Sequence, residues 1–447
     1  MSALLAACDA VPPIPPNATE ATKTTRPQQA DSQREDLDAF VRGFFEVDAS
    51  YSPEARAEAK KRLYELGRDA GAISDTQFIL RLSQIAALAD NGHTGVIYRG
   101  ASPDLGRVGV RLAPFGQDFV AVQAAADHAD LLGGRLVAID GTPIAQLREI
   151  ARTLSGGIVS RRDQMAPLFL ESPGQLYALD LAGAADHATY GFEMRHGEKR
   201  EAVLAVASEP GGGRDASMAL LSPEDAPKTW RTLLQADKAP WALQDVGKTM
   251  RRRDLPGLSA TLIQLRANQD GEQPIAEFLE ESEDARRKAR RRNIILDMRM
   301  NGGGDLTRTR EWMSTLPSRL PKNGRVVVLT SRWTFSAAIS SIGYLKQAGG
   351  SRVILVGDPP GDRLNFFAEG RPIVLPNSGA MVLMARQRHD YLTGCEGYSD
   401  CHGQVVEFPI AVKNLDPDVV APWTLDAYIK GRDPGMEAAA RALRRAR

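Results

Sequence analysis

The strongest chemical signal in this sequence is a serine that follows one apolar run, together with a glycine triple that follows another. Ser336 comes after residues 326–329 and before a helical stretch, and residues 302–304 come after residues 294–296. Short apolar runs of this kind are typical of buried parallel strands. A serine at a helix N-terminus lies beside free backbone N–H groups, and glycines let a second backbone approach closely. The pattern predicts a nucleophile and an oxyanion hole.

The same residues also fit structural roles. Ser336 could cap a helix, and the three glycines could form a plain turn. Asp297 and Arg299, which flank the glycines, are expected to form a structural ion pair. The glycine stretch lacks the Lys-Ser/Thr of a phosphate-binding loop, and no aromatic stripe suggests a cofactor platform. We therefore expect no cofactor and no metal.

The elements that must position these residues follow an α/β pattern from residue 206 to residue 447, the predicted catalytic core. Before it we expect a helical region at residues 34–100 and a β-rich domain at residues 101–205. In the core, the pattern predicts strands near 258–265, 294–296, 326–329, 353–356 and 381–385, and helices near 274–292 and 435–445.

The N-terminus resembles a bacterial lipoprotein processing site. Residues 1–8 end in Leu-Leu-Ala-Ala-Cys, which reads as a truncated signal remnant with Cys8 as the lipidated residue. Residues 9–33 are rich in Pro, Thr, Ala and Gln and predict a disordered tether. A chance occurrence of the motif is the alternative. The prediction is a body on the periplasmic side of a bacterial cell envelope, attached to the membrane through a lipid.

Two further cysteines are spaced CxxxxxC. Cys395 and Cys401, with His402 beside them, are too few and too widely spaced for a zinc site. A small disulfide loop fits an oxidising envelope, and two free thiols are the alternative.

Composition excludes several classes of protein. The 447 residues contain 56 Lys+Arg and 56 Asp+Glu, so no net charge favours a nucleic-acid partner. The basic run at residues 286–292 follows acidic residues on the same helical stretch, which favours a solvated face. No apolar run approaches the ~18 residues that span a bilayer.

Several motifs resemble those of the C-terminal processing peptidases, which include tail-specific proteases, the tricorn core and retinoid-binding-protein-like members. They are LDMRMNGGG, VVVLTSRWTFSAA, LPNSG at 375–379 and the LADNGHTG element, which is similar to the DxHT element of that family. LLGGRLVAIDGTPI is similar to the end of a PDZ domain. The resemblance covers roughly residues 80–447.

The resemblance implies a ClpP/crotonase-like α/β core and a PDZ-like β-rich domain. It also implies that Ser336 is the nucleophile and that backbone amides at Gly303 or Gly304 and at Ala337 form the oxyanion hole. Many members pair the serine with a lysine on a later strand, but residues 357–363 contain none. Lys346 lies about 15 Å along the helix from Ser336, too far for proton transfer.

The tricorn branch instead implies a histidine base, a neighbouring serine and a distant glutamate. His93 fits the histidine and Glu396 the glutamate, while Gly92 replaces the serine and Asn91 stands in the Asp position. His389 is the alternative base. A histidine base predicts loss of activity as pH falls through ~6.5.

These residues predict a serine endopeptidase of the envelope that acts on peptides or unfolded protein segments. One alternative is a peptide-binding lipoprotein with a weakened site. The other is a crotonase-type enzyme that acts on an acyl thioester. The oligomeric state stays open.

Overall fold

The computed structural model describes residues 26–98, 105–208 and 218–445, so Cys8 and the predicted signal remnant lie outside the described residues. The described part of the chain begins with three helices, α1 (Arg26–Phe40), α2 (Pro53–Asp69) and α3 (Asp75–Ala87), and a π-helical turn at Val41–Phe45 extends α1. Ser74 begins α3 with a capping box. The short strand β1 (Gly95–Ile97) follows.

The predicted tether is too long. Its last residues, from Arg26 onward, belong to α1, and Gln33 is buried. The Gln33 amide donates to Ile73 O and to Asp75 Oδ1, at 3.1 and 2.7 Å. The prediction is therefore wrong for residues 26–33, because partners forty residues away stabilise a segment whose own composition is polar.

The second region is an antiparallel sheet with helices packed on it. Its first strands and helices are β2 (Val110–Phe115), β3 (Asp118–Ala125), β4 (Arg135–Ile139), β5 (Thr142–Pro143), α4 (Ile144–Arg152), α5 (Val159–Leu170) and α6 (Pro173–Ala178). It continues with β6 (His187–Glu193) and β7 (Lys199–Ala205), and the sheet order is β2-β3-β4-β6-β7. A further strand, β8 (Trp230–Thr232), pairs with β3, so part of the segment assigned to the catalytic core packs on this sheet instead.

The third region contains a six-stranded sheet with order β18-β13-β12-β11-β10-β9. Its elements up to the nucleophile helix are β9 (Met250–Leu255), β10 (Ala260–Leu265), α7 (Ile275–Lys288), β11 (Asn293–Asp297), α8 (Thr307–Arg319), β12 (Val326–Thr330) and α9 (Ala337–Gly349). The remainder comprises β13 (Val353–Gly357), β14 (Asn365–Glu369), β15 (Ile373–Val374), β16 (Met381–Leu383), β17 (Ala385–Asp390), α10 (Gly403–Glu407), β18 (Val419–Val420), α11 (Leu425–Ile429) and α12 (Pro434–Arg445).

The six-stranded sheet explains where a site can form. β10, β11, β12, β13 and β18 are mutually parallel, and β9 adds an antiparallel edge. β11 and β12 are buried along their whole length, because helices cover both faces of the sheet. Loops after neighbouring parallel strands leave the sheet at the same edge, where open α/β sheets bind their ligands. The predicted α/β core is confirmed.

The N-terminal helices are joined to the third region. β1 pairs antiparallel with β16, and the helices share a hydrophobic core with Leu375, Val382 and Met384. This pairing holds the loop between α3 and β1, which carries His93, against the third region. No helix among the described residues is long and apolar enough to cross a bilayer.

Candidate active site

The loop after β12 presents Ser336 in a strained conformation. Ser336 has φ 55° and ψ −130°, in a region that residues with a side chain rarely adopt, and α9 begins at the next residue. The turn before it is fixed by Thr334, whose Oγ1 accepts from Ser331 N and donates to Met298 O. The Ser336 hydroxyl makes no capping hydrogen bond, so the capping explanation is wrong. Strain of this kind is found where a fold holds a residue for function.

The glycine loop after β11 touches this serine. Gly303 has φ +112°, and a Cβ built on it would lie 2.6 Å from Ser336 Cβ and 3.1 Å from Ser336 Oγ. A side chain at this position would therefore collide with the serine, which explains why a glycine stands here.

The amide of Gly303 is not free to bind an oxyanion. Gly303 N–H donates to Asn301 Oδ1 at 2.9 Å, and Asn301 in turn donates to Asn268 Oδ1. The assignment of the Gly303 amide to the oxyanion hole is therefore wrong for this conformation. Within the described structure, the N–H groups of Gly304 and Ala337 have no hydrogen-bond partner, and Gly304 is exposed. Those two amides remain candidates.

His93 lies against the nucleophile loop. Its ring stacks on Phe335, the residue before Ser336, with centroids 4.4 Å apart, and on Phe366 of β14 at 4.9 Å. Neither ring nitrogen makes a hydrogen bond to a described residue, so His93 and Ser336 are not hydrogen-bonded in this conformation. Burial disfavours the imidazolium and lowers the pKa of His93 to about 3, with a smaller contribution from His389. The imidazole of His93 is therefore neutral at physiological pH, and in this conformation it does not titrate near the ~6.5 expected from the sequence.

The carboxylate beside His93 is Asp362, which the sequence analysis did not single out. Asp362 Oδ2 lies 3.6 Å from His93 Nδ1 and makes no hydrogen bond, while Oδ1 accepts from Arg363 N at 2.8 Å. Burial raises the pKa of Asp362 to about 6. Asp362 comes from the loop after β13, in the same segment that lacks the lysine.

Glu396 does not reach the site. Its side chain is exposed in the loop between Cys395 and Cys401, and within the described residues it forms no ion pair with His93. The assignment of Glu396 as the acid partner of His93 is therefore wrong. Strands β14 to β17 lie between Ser336 and this loop in the chain, and the loop packs on β17 away from His93.

Two other positions of the DxHT-like element have structural explanations. Asn91 pairs with the backbone of Phe367, since its Nδ2 donates to Phe367 O at 2.9 Å and its Oδ1 accepts from Phe367 N at 3.1 Å. A Cβ built on Gly92 would lie 2.9 Å from Asp362 Oδ2 and 2.9 Å from the Phe335 ring. The space of a neighbouring serine is thus filled by Asp362 and Phe335.

The β-rich region covers the site from the other side. Arg161, near the start of α5, places its guanidinium 4.3 Å from the centre of the Phe335 ring. Burial lowers the pKa of Arg161, and the charge of Asp362 opposes this. Arg162 and Arg363 both bind Asp90, with N–O distances of 2.5 and 2.6 Å. Three regions of the chain therefore meet around His93.

His389, the alternative base, lies one layer further from the nucleophile. Phe366 separates the rings of His93 and His389, and His389 Nδ1 is 2.9 Å from Tyr391 Oη. Lys346 is engaged elsewhere, with its Nζ 2.9 Å from Val353 O and 3.2 Å from Asp418 Oδ2. His389 and Lys346 are therefore less well placed than His93 to accept a proton from Ser336.

The remaining predicted residues have defined places. Cys395 and Cys401 form a disulfide. Asp297 and Arg299 form a buried ion pair that also includes Asp433, as expected of a structural pair. Glu369, His389 and His402 are a cluster that could hold a metal ion, because their ligand atoms all lie within 4.8 Å of one another.

Solved structures share this fold. Mature CPAF complexed with lactacystin aligns with 93% of this chain and 99% of its own, at 12% identity and a TM-score of 0.57. A mutant of CPAF aligns over 93% and 98%, at 11% identity and a TM-score of 0.58. The photosystem II D1 C-terminal processing protease aligns over 93% of this chain and 97% of its own, at 14% identity. Its TM-score of 0.39 is too low to establish a shared fold. No family model and no curated protein sequence matches the chain. The chain therefore has the fold of the CPAF structures.

Proposed function

We propose that this chain is a serine endopeptidase that hydrolyses peptide bonds in peptides or unfolded protein segments. The observation that carries the proposal is the conformation of Ser336, an uncapped serine at a strained helix start that touches a glycine loop. The fold shared with CPAF is consistent with it, and the sequence motifs add the resemblance to the C-terminal processing peptidases.

In the proposed reaction, Ser336 Oγ attacks the scissile carbonyl and His93 takes the hydroxyl proton. The imidazolium of His93 then gives that proton to the leaving amine, and water hydrolyses the acyl-enzyme by the same route. Asp362, rather than Glu396, orients the imidazole and stabilises its charged form. The N–H groups of Ala337 and Gly304 would bind the oxyanion, and one such donor contributes roughly 10²–10³ in rate.

The reaction requires a movement from the conformation described here. His93 makes no hydrogen bond to a described residue, so a ring nitrogen must come within about 2.6–3.2 Å of Ser336 Oγ before proton transfer. Arg161 contacts the ring of Phe335, which lies between the β-rich region and His93. We propose that the β-rich region is PDZ-like and presents substrate at this contact, and that the core is ClpP/crotonase-like.

We further propose a periplasmic location with a lipid anchor at Cys8. The Cys395–Cys401 disulfide supports an oxidising compartment. Mass spectrometry of the protein isolated from its native cells should find a lipidated N-terminal Cys8 and no free thiol. An unmodified N-terminus at Met1 would contradict the anchor.

A fluorophosphonate probe tests the nucleophile directly. Labelling of Ser336 in the full-length protein, and its loss in Ser336→Ala, is expected for a serine peptidase. The unbonded His93 favours one competing possibility, a peptide-binding protein with a weakened site, which predicts binding of an unfolded substrate without labelling. Turnover of an acyl thioester would instead support the crotonase-type alternative.

A further inference from the structure

We propose that Glu369, His389 and His402 form a Zn²⁺-binding site, independently of the peptidase function proposed above. One ligand atom of each residue lies within 4.8 Å of the other two. Sequence spacing alone argued against a zinc site at Cys395, Cys401 and His402, because too few ligands were close in the chain. The fold supplies the other two ligands from β14 and β17.

His389 is placed as a metal-ligating histidine. It is buried, its Nδ1 is 2.9 Å from Tyr391 Oη, and that hydroxyl is 2.6 Å from Ser340 Oγ. When Nδ1–H donates to Tyr391, the lone pair of Nε2 points away from this chain of hydrogen bonds. His389 Nε2 lies 3.3 Å from Glu369 Oε1 without a hydrogen bond of acceptable geometry. Histidine ligands of metals are usually oriented by such a partner on the second nitrogen.

Glu369 reaches this nitrogen because of an irregular backbone. It has φ +61°, and the β14–β17 pairing shifts register between Ala368 and Glu369. The register shift leaves one extra residue in β17 opposite this point, and a side chain rarely adopts a positive φ. Glu369 holds this conformation with its carboxylate beside His389 and His402.

His402 completes the cluster from a loop that is docked on β17. His402 N–H donates to Arg388 O, and Arg388 N–H donates to Asp400 O, each at 2.9 Å. The disulfide closes the loop at the residue before His402. His402 Nδ1 is buried and has no hydrogen-bond partner among the residues that the structure describes.

The donor set favours zinc among the common metals. Two imidazole nitrogens and one carboxylate oxygen suit Zn²⁺, and the metal-bound site would have charge +1 and an open fourth position. At bond lengths of about 2.0–2.2 Å, tetrahedral ligands lie roughly 3.3–3.6 Å apart, so the ligand atoms must close by about 1 Å. His402 is half-buried at the end of its loop, and its side chain is the one that would have to move, because His389 Nε2 and Glu369 Oε1 are already 3.3 Å apart.

The cluster lies one ring away from the candidate base. The rings of His93, Phe366 and His389 are stacked in sequence, with centroid distances of 4.9 and 5.1 Å. A metal bound by residues of β14, β17 and the disulfide loop would therefore also fix the position of Phe366, on which His93 stacks.

Zinc titration of the full chain tests the site. The oxidised protein is first dialysed against a chelator and then titrated calorimetrically with ZnCl₂ in a buffer without reductant. We expect about one Zn²⁺ per chain and a rise in the unfolding temperature upon binding. Glu369→Gln and His402→Ala should each weaken binding by about 100-fold or more, and Tyr391→Phe by roughly 10–100-fold.

The matched control is His187→Ala, which removes an exposed histidine whose Nδ1 lies 2.7 Å from Asp186. It should bind Zn²⁺ as the wild type does. Circular dichroism of the zinc-free variants separates lost ligands from lost fold, and Glu369→Gln preserves size at a position that is partly exposed. Absence of binding in the wild type, or unchanged affinity in folded Glu369→Gln and His402→Ala, would overturn the proposal.

Discussion

The two halves of the candidate site are built in different ways. Ser336 and the glycine loop follow the neighbouring parallel strands β12 and β11, so the sheet itself brings them together. His93 comes from the N-terminal region, more than 240 residues earlier in the chain. It is held by Phe335, Phe366 and Asp362, which belong to other segments.

The two halves of the candidate site also differ in what it costs the fold to form them. At Ser336 the cost is backbone strain, which the hydrogen bonds of the turn maintain. Around His93 the cost is desolvation, because burial lowers the pKa of His93 to about 3 and raises that of Asp362 to about 6. The nucleophile half is fixed by local geometry, whereas the base half depends on how three regions pack.

Removal of the nucleophile should have the largest effect. Ser336→Ala should abolish hydrolysis of an unfolded substrate, yet change the free energy of unfolding by no more than about 1 kcal/mol, because the hydroxyl makes no capping hydrogen bond. Peptide-release assays and thermal unfolding measure the two quantities. Retained hydrolysis would show that Ser336 is not the nucleophile.

Asp362→Asn should come next, and it should separate activity from stability. Loss of the carboxylate should lower kcat on the order of 10²–10⁴-fold, by analogy with triads whose aspartate is replaced. The matched control is Glu396→Gln, which should leave kcat unchanged, since Glu396 is exposed and forms no ion pair with His93 in the described structure. A larger loss in Glu396→Gln than in Asp362→Asn would restore the original assignment.

The pH dependence of stability tests the same residue. The folded pKa of Asp362, about 6, is above its reference value of 3.8, so the folded state binds more protons between these values. This stabilising contribution is complete below pH 3.8 and is lost as pH rises through 6. Asp362→Asn should therefore be more stable than the wild type by about 1–3 kcal/mol at pH 8, with a smaller difference at pH 4. Equal differences at both pH values, measured by urea unfolding, would contradict the buried carboxylate.

Gly92→Ser should lower both stability and activity, by less than the substitutions above. This substitution restores the serine that the tricorn branch places beside the histidine. Its Cβ would lie 2.9 Å from both Asp362 Oδ2 and the Phe335 ring, so overpacking should cost about 1–3 kcal/mol of stability. Activity should fall as His93 is displaced. An increase in kcat would show instead that the base half lacks a helper residue.

The smallest change isolates the strain at the nucleophile. Ser336→Gly and Ser336→Ala both remove the hydroxyl, but glycine adopts φ 55° at little cost. Ser336→Gly should thus be more stable than Ser336→Ala by about 1 kcal/mol. Equal unfolding midpoints in urea would show that the turn stores no strain.

The sequence predicted the elements that position Ser336 and the glycine loop, but only part of the surroundings of His93. Strands β11 and β12 and the loops after them could be predicted, because uninterrupted apolar runs and glycines are local signals. A motif predicted His93, whose ring lies against Phe335. Asp362 lies within residues 357–363, and an acidic residue after a third predicted parallel strand is the signal that could have predicted it.

The sequence by itself determined the α/β core, the serine at a helix start and the glycines that approach it, since each depends on residues that are close in the chain. The tertiary structure decided that Asp362 and not Glu396 faces His93, that the Gly303 amide is taken by Asn301, and that Glu369, His389 and His402 meet. These contacts join segments separated by other strands and loops, and neither periodicity nor spacing carries information about which of them pack together.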